Sequence, residues 1–180
     1  MHKTPSEYAR WVRRVHELSH DGELDVRDLV ERCGGRVDEF PIHGFAGLLL
    51  PLGDGFFGIA LREGDSEKRK RFTIAHELGH FCIPSHRDRA ALCVAPDLSQ
   101  DGSNKLAERE ASEFAAELLM PRRVIESIVA TGSIDIARAL TISARFNVSL
   151  VSAAIRMCEC GFSKLCHASS LNSVTLGEGG

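Results

Sequence analysis

The apolar residues change their spacing twice along the chain, which indicates a helical start, a short stretch of strands and a helical second half. In the helical parts they recur every three or four positions, the period of an amphipathic helix. Between residues 36 and 61 they form short runs separated by Pro and Gly turns, which is typical of strands. The pattern predicts helices at Thr4–His20, Asp25–Cys33, Ser66–Ile83, Asn104–Met120, Pro121–Ala130, Ser133–Phe146 and Ser149–Cys160, and strands at Arg36–Phe40, Ala46–Leu50 and Phe56–Leu61.

Residues at the segment ends support these assignments. Thr4 and Glu7 occupy the positions of a helix capping box, with Pro5 in the first turn. Gly34-Gly35 supplies the left-handed stop of the second helix. The turn at residues 53–55, Gly-Asp-Gly, joins the last two strands into a hairpin.

The chain is predicted to form one α+β domain over residues 1–180. Its length is enough to bury a single core, and it contains no repeat, low-complexity tract or linker. We expect a small three-stranded sheet packed on helices, a helical C-terminal half and a long loop at residues 84–103. Residues 131–160 have the spacing of a helix-turn-helix pair, and residues 161–180 form a tail with one strand at Ser173–Leu176.

Composition narrows the class of protein. A hydrophobic fraction of 43% and a formal net charge of −3 argue against disorder and against a generally basic nucleic-acid binder. No apolar run has the length of a membrane span, and the first residues lack the apolar segment of a secretory signal. We therefore expect a cytoplasmic protein with reduced cysteines. Cys158, Cys160 and Cys166, with the adjacent His167, fit no standard zinc-ligand spacing, and their role stays open.

The motif His76-Glu77-Leu78-Gly79-His80 lies inside the predicted helix at residues 66–83. Its four-residue step places the two imidazoles about 40° apart around the helix and about 6 Å apart along it, so both can bind one ion. Glu77 lies at the edge of that face, where its carboxylate can reach a water molecule without being a ligand. This is the arrangement of a zinc peptidase.

A catalytic zinc ion needs a third protein ligand and an open fourth position. His86 has the spacing of the metzincin third histidine, but Ile83 occupies the position where that pattern has glycine. Glu108 and Glu110 begin a second helix, which could deliver one carboxylate to the ion. The residues favour Glu108 and leave His86 and Glu110 as alternatives.

Two segments together resemble the ImmA/IrrE family of zinc metallopeptidases, which are gluzincin-like. They are RFTIAHELGH at residues 71–80 and EREASEFAAELLMP at residues 108–121, and with the preceding strands the resemblance covers residues 25–160. It implies a zincin-like fold with residues 1–130 as its core, and one zinc ion per chain bound by His76, His80 and Glu108. The family usually has Asn or Asp four residues after its glutamate ligand, where this chain has Ser112. The Ser112 hydroxyl is therefore a candidate partner for a histidine ligand.

The resemblance also implies a function. The expected activity is hydrolysis of a peptide bond in a helix-turn-helix repressor, with Glu77 as the catalytic base, which would relieve repression in a stress response or in mobile-element induction. An exposed strand edge in the hairpin at residues 46–61 could bind the substrate by β-augmentation. A proline in strand Phe56–Leu61 that left cleavage intact would count against this hypothesis.

Two other classes of function stay open at this stage. The helical pair at residues 131–160 could bind DNA, although its only basic residues are Arg138, Arg145 and Arg156, few for a phosphate footprint. Alternatively, the chain could be a zinc-containing regulatory protein that does not cut. We expect no direct DNA binding and no membrane partner.

Overall fold

The computed structural model describes residues 3–86, 102–131 and 134–172. It is an α+β structure with a small three-stranded sheet and a helical second half, which confirms the predicted fold class. Of the predicted loop at residues 84–103, residues 84–86 and 102–103 are described and are helical, which corrects the prediction at both of its ends. The remaining residues of the loop and the predicted strand Ser173–Leu176 lie outside the described residues. The elements are α1 (Pro5–Val15), α2 (Val26–Arg32), β1 (Gly35–Phe40), β2 (Gly47–Gly53), β3 (Phe56–Arg62), α3 (Glu67–Cys82), α4 (Gly102–Leu119), α5 (Arg122–Ala130), α6 (Ile136–Phe146) and α7 (Leu150–Asn172).

Two helices end at places that the apolar pattern did not predict. Helix α1 stops at Val15, because Glu17 adopts a left-handed conformation with φ 51°. Helix α7 continues through Gly161 to Asn172, whereas the prediction ended it at Cys160. A Cβ at Gly161 would lie 2.4 Å from Ile134, so this glycine provides room for packing and does not end the helix.

The strand order is β1-β3-β2, with β3 parallel to β1 and antiparallel to β2. The predicted hairpin of β2 and β3 is present. Because β3 is central, a proline in it would disturb the ladder on both sides and would not test an edge. Among the described residues, no strand pairs with the other side of β2, so β2 is the free edge next to α3.

Helix α3 packs between the sheet and α4 through two glycines. A Cβ at Gly47 of β2 would lie 2.3 Å from Thr73 Cγ2 of α3. On the other side, a Cβ at Gly79 would lie 3.3 Å from the Ala111 backbone and 3.1 Å from the Phe114 ring of α4. These close approaches set the distance of α3 from both neighbours.

A buried arginine of α3 is one of the contacts that join the helical pair α6–α7 to the rest of the fold. Arg71 of α3 donates hydrogen bonds to the backbone oxygens of Leu24, Phe146 and Asn147. Asn147 connects the two helices in a left-handed conformation. Within the described residues, no helix is both long enough and apolar enough to cross a membrane.

Replacing Gly47 by alanine should destabilise the protein by about 1–3 kcal/mol, because the added methyl group would overlap Thr73 Cγ2. The measurement is urea unfolding at equilibrium. Gly58→Ala is the matched control, since its Cβ would lie 3.8 Å from the nearest atom, on Leu52.

Thr73→Ser removes the overlapping methyl group and should recover part of the loss in the Gly47→Ala background. Equal unfolding midpoints for the wild type, Gly47→Ala and Gly58→Ala would contradict this account of the packing of β2 on α3.

Candidate metal centre

Three side chains from α3 and α4 converge where the two helices cross. His76 Nε2 lies 3.2 Å from His80 Nε2 and 3.1 Å from Glu108 Oε2, and His80 Nε2 lies 3.4 Å from Glu108 Oε1. Among the described residues, this is the one group of three or more His, Cys, Asp or Glu side chains that could hold a metal ion. The motif helix and the predicted carboxylate helix therefore meet at these residues.

The spacing of these donor atoms fits zinc. In a tetrahedral site with metal–ligand distances near 2.0–2.1 Å, neighbouring ligand atoms are about 3.3 Å apart. The three separations here lie within about 0.2 Å of that value. Two imidazoles and one carboxylate also form the ligand set of hydrolytic zinc enzymes, which leaves a fourth position open.

The charge of Glu108 also suits a cation. Hydrogen bonds from His76 and His80 hold the pKa of its carboxyl far below the usual range, so the side chain is ionised at neutral pH. The carboxylate therefore supplies a negative charge at the point where the two imidazoles meet.

Ser112 lies one helical turn after Glu108, and its Oγ is 3.3 Å from His76 Nδ1. When Nε2 binds a metal, Nδ1 carries the proton and needs an acceptor, which orients the ring. The Ser112 hydroxyl is positioned to accept that hydrogen bond, in place of the Asn or Asp expected from the family pattern.

Glu77 points to the side of the metal group that faces β2. The pKa of its carboxyl is raised to about 7, mainly by burial and also by the charge of Glu108. His80 and a hydrogen bond from the Leu49 N–H act in the opposite direction. The Arg62 N–H donates to the Ala46 oxygen. In an antiparallel pair, alternate residues hydrogen-bond to the neighbouring strand, so the backbone N–H and C=O groups of residues 46, 48 and 50 point toward β3 and those of Leu49 point toward the free edge. Glu77 is therefore held by an N–H group that the sheet does not use.

Two residues near Glu77, Leu49 and Gly47, were not predicted from the sequence motifs. Their contributions are a backbone N–H and a missing Cβ, and the ideal Cβ position of Gly47 lies 3.4 Å from Glu77 Oε1. Of the two, only Gly47 carries a sequence signal, a glycine that opens an apolar strand.

The alternative third ligands, His86 and Glu110, pair with each other. His86 Nε2 lies 2.8 Å from Glu110 Oε2, and His86 is 2% exposed. The His86 ring packs 5.0 Å from the His80 ring, as a neighbour of the metal group and not as a member of it. This arrangement favours Glu108 as the third ligand.

A groove of about 310 Å³ lies beside the metal group, between α4 and α7. Phe72 and Ser112 line the end near His76, and Ala116, Met120 and Ile155 continue it. The lining is largely apolar, so the groove suits an apolar side chain.

The arginines of the helical pair are engaged within the protein. Arg138 donates to the Ile128 oxygen, Arg145 pairs with Asp21, and Arg156 pairs with Glu117 in the interior. A helix that reads DNA needs basic side chains free to meet phosphates. These contacts argue against the DNA-binding interpretation of α6–α7.

Comparison with known proteins gives one family match. The model of the Peptidase M78 family, described as the IrrE N-terminal-like domain, matches residues 30–157. Among solved structures, a Mycobacterium tuberculosis transcriptional regulator is similar, with a TM-score of 0.56 and 16% identity over 83% of this chain. The chain covers 44% of that regulator, and the likeness shows the fold alone. The comparison with curated proteins gives no match.

Protein purified without chelator should contain one zinc ion per chain, and both His76→Ala and Glu108→Ala should lose it, because each removes a donor atom of the group. Native mass spectrometry measures the stoichiometry. Ser112→Ala keeps all three donors and should weaken zinc binding about 10- to 100-fold, measured by competition with a chelator.

Glu110→Gln is the control, because it changes a carboxylate on the same helix that contacts His86 instead. Retention of zinc by Glu108→Ala together with its loss from Glu110→Gln would move the third ligand to Glu110.

In the metal-free protein, Glu77→Gln should stabilise the fold near pH 8 and have little effect near pH 5. The folded-state pKa is raised from 4.5 to about 7, so the folded protein holds this proton more tightly than the unfolded chain. The wild type therefore loses stability as the pH rises through that interval, and glutamine does not ionise. Thermal unfolding in excess chelator measures the difference, with the exposed Glu63→Gln as control; a gain that is equal at both pH values would contradict the assigned cause.

Proposed function

Because the chain belongs to the Peptidase M78 family (IrrE N-terminal-like domain), we propose that it is a zinc-dependent endopeptidase that hydrolyses a peptide bond in a helix-turn-helix transcription repressor. The observation that carries this proposal is the half-buried carboxylate of Glu77 beside a zinc-sized triangle of His76, His80 and Glu108. A purely structural metal site has no use for such a neighbour.

His76, His80 and Glu108 would hold the ion through Nε2, Nε2 and a carboxylate oxygen. When bound, zinc supplies a Lewis acid that makes water more acidic and polarises a carbonyl oxygen. Ser112 fixes the orientation of the His76 ring through Nδ1.

Glu77 acts as the base and then as the acid. Its carboxylate takes one proton from the attacking water as the oxygen of that water bonds to the scissile carbonyl carbon. It then gives this proton to the leaving nitrogen as the carbon–nitrogen bond breaks, so the carboxylate is regenerated. The Leu49 N–H donates a hydrogen bond to this carboxylate, which helps to fix its position.

The free edge of β2 and the groove between α4 and α7 are the surfaces proposed for the peptide. The backbone N–H and C=O groups of residues 47, 49 and 51 point toward that edge. Of these residues, Pro51 has no N–H, and the Leu49 N–H already donates a hydrogen bond to Glu77. The edge therefore offers mainly carbonyl oxygens to an extended substrate, which would donate its own N–H groups.

The choice of a transcription repressor as substrate comes from the family resemblance. The structural neighbour is itself described as a transcriptional regulator, which is compatible with a role of this fold in transcription control. A regulatory protein that binds zinc without cutting would not need Glu77. The engaged arginines of α6–α7 disfavour direct DNA binding as the function.

Glu77→Gln should keep zinc bound and abolish cleavage, because an amide cannot accept the proton of the attacking water. The measurement is N-terminal labelling of a lysate from the chain's own host after incubation with wild type or variant. New N-termini in a helix-turn-helix regulator should appear with the zinc-loaded wild type and not with Glu77→Gln.

Glu63→Gln is the matched control and should cleave as the wild type does, since this glutamate is exposed and outside the metal group. The same new N-termini with Glu77→Gln would defeat the mechanism. Zinc bound by both proteins with no Glu77-dependent cleavage of any regulator would favour the non-proteolytic role.

A further inference from the structure

A second concave site lies at the other end of α4 from the metal ligands. It is a cleft of about 870 Å³ between the C-terminal half of α1, the turn that follows it and the start of α5. Arg10, Arg14 and Arg123 line its walls with Trp11 and His20. All five are exposed.

The floor of this cleft holds more positive than negative charge. Arg13 is 1% exposed and donates hydrogen bonds to the carbonyl oxygens of Leu118 and Ser19. Burial lowers the pKa of Arg13 and the charge of Glu117 raises it, but no carboxylate of the described residues forms an ion pair with it. Glu117 is itself shared between Arg10, at 3.5 Å, and Arg156. Glu117 therefore forms ion pairs with two guanidinium groups, and Arg156 also pairs with Glu159.

The wall arginines add to this excess. Within residues 3–86, 102–131 and 134–172, neither Arg14 nor Arg123 forms an ion pair with a carboxylate. Lys3 lies over the faces of Tyr8 and Trp11, 5.6 Å and 5.9 Å from the ring centroids. In a concave surface such a charge imbalance concentrates the positive potential and attracts anions.

We propose that this cleft is a docking site for an acidic peptide segment of a protein partner. Carboxylates of the segment would pair with Arg14, Arg123 and Arg10, and its apolar atoms would pack on Trp11. A nucleic acid fits less well, because Glu7 and Glu17 also line the cleft and would meet a uniformly charged phosphate backbone. An acidic peptide can place neutral residues opposite these two glutamates.

The position of the cleft suits a partner that also reaches the metal group. Helix α1 runs parallel to α4, since Ser6 and Arg10 contact Glu113 and Glu117 in turn. Glu108 and Glu117 are about 13 Å apart along the α4 axis and lie on opposite sides of this helix, because nine residues make two and a half turns. A peptide that reaches both must also pass around α4, so it needs more than the roughly four extended residues that cover 13 Å. If the proposed peptidase function is correct, the cleft would bind an acidic stretch of the substrate that lies at a distance from the cut site.

The test uses the fluorescence of Trp11, the one tryptophan of the chain. The zinc-supplemented wild type is titrated with a short oligo-glutamate peptide at low and at physiological salt. We expect a saturable change in Trp11 emission that weakens as salt rises. Arg14→Glu and Arg123→Glu should each weaken binding on the order of tenfold, because each replaces an attraction by a repulsion.

Arg36→Glu is the matched control, since it makes the same charge change at an exposed arginine that does not line the cleft. Circular dichroism melting checks that all three variants fold. Binding that Arg14→Glu and Arg123→Glu leave unchanged, or no emission change at low salt, would overturn the proposal. Tighter binding of oligothymidylate than of oligo-glutamate would overturn it in favour of a nucleic acid.

The titration measures binding without cleavage, so its outcome is separate from that of the peptidase test. A peptidase without this docking site would cleave a regulator but would not bind oligo-glutamate. A docking protein without peptidase activity would bind oligo-glutamate but would not cleave.

Discussion

The close approach of α3 and α4 at Gly79 is the constraint on which the candidate metal centre depends. The Glu108 carboxylate reaches both imidazoles only because the two helix backbones nearly touch one turn away, at Ala111. Glycine inside a helix costs about 1 kcal/mol relative to alanine. Here that cost is offset by the contact it permits, since a side chain at this position would press on Phe114 and the Ala111 backbone and move the carboxylate away from the histidines.

A second close approach at a glycine positions the sheet side of α3. Gly47 lets β2 lie against Thr73, and this contact brings the Leu49 N–H to Glu77. A carboxylate buried in that position is unfavourable for stability, because burial disfavours its charged form. The fold therefore holds a destabilising group in place between a helix and a strand edge. Such groups are typical of active sites, where function needs a charge that stability alone would remove.

Much of this arrangement could be predicted from the sequence. Helix periodicity and the four-residue step identify His76 and His80 as partners, and the family resemblance selects Glu108 for the third position. The roles of Leu49 and Gly47 could not be predicted, because one acts through its backbone and the other through an absent side chain. The central position of β3 was also hidden, since strand order depends on the crossover from β1 and not on local pattern.

Helix α4 shows most clearly why residue types alone did not decide the site. It carries four glutamates within ten residues, and one of them, Glu113, accepts a hydrogen bond from Ser6 of α1. The other three are Glu108, Glu110 and Glu117. Glu108 faces two imidazoles that share no other anion among the described residues, Glu110 faces the buried His86, and Glu117 faces arginines. Only the first environment presents two lone-pair donors that a metal ion can share with the carboxylate. The function of each glutamate is thus set by what α1, α3 and α7 bring against α4, which is a property of packing and not of the helix sequence.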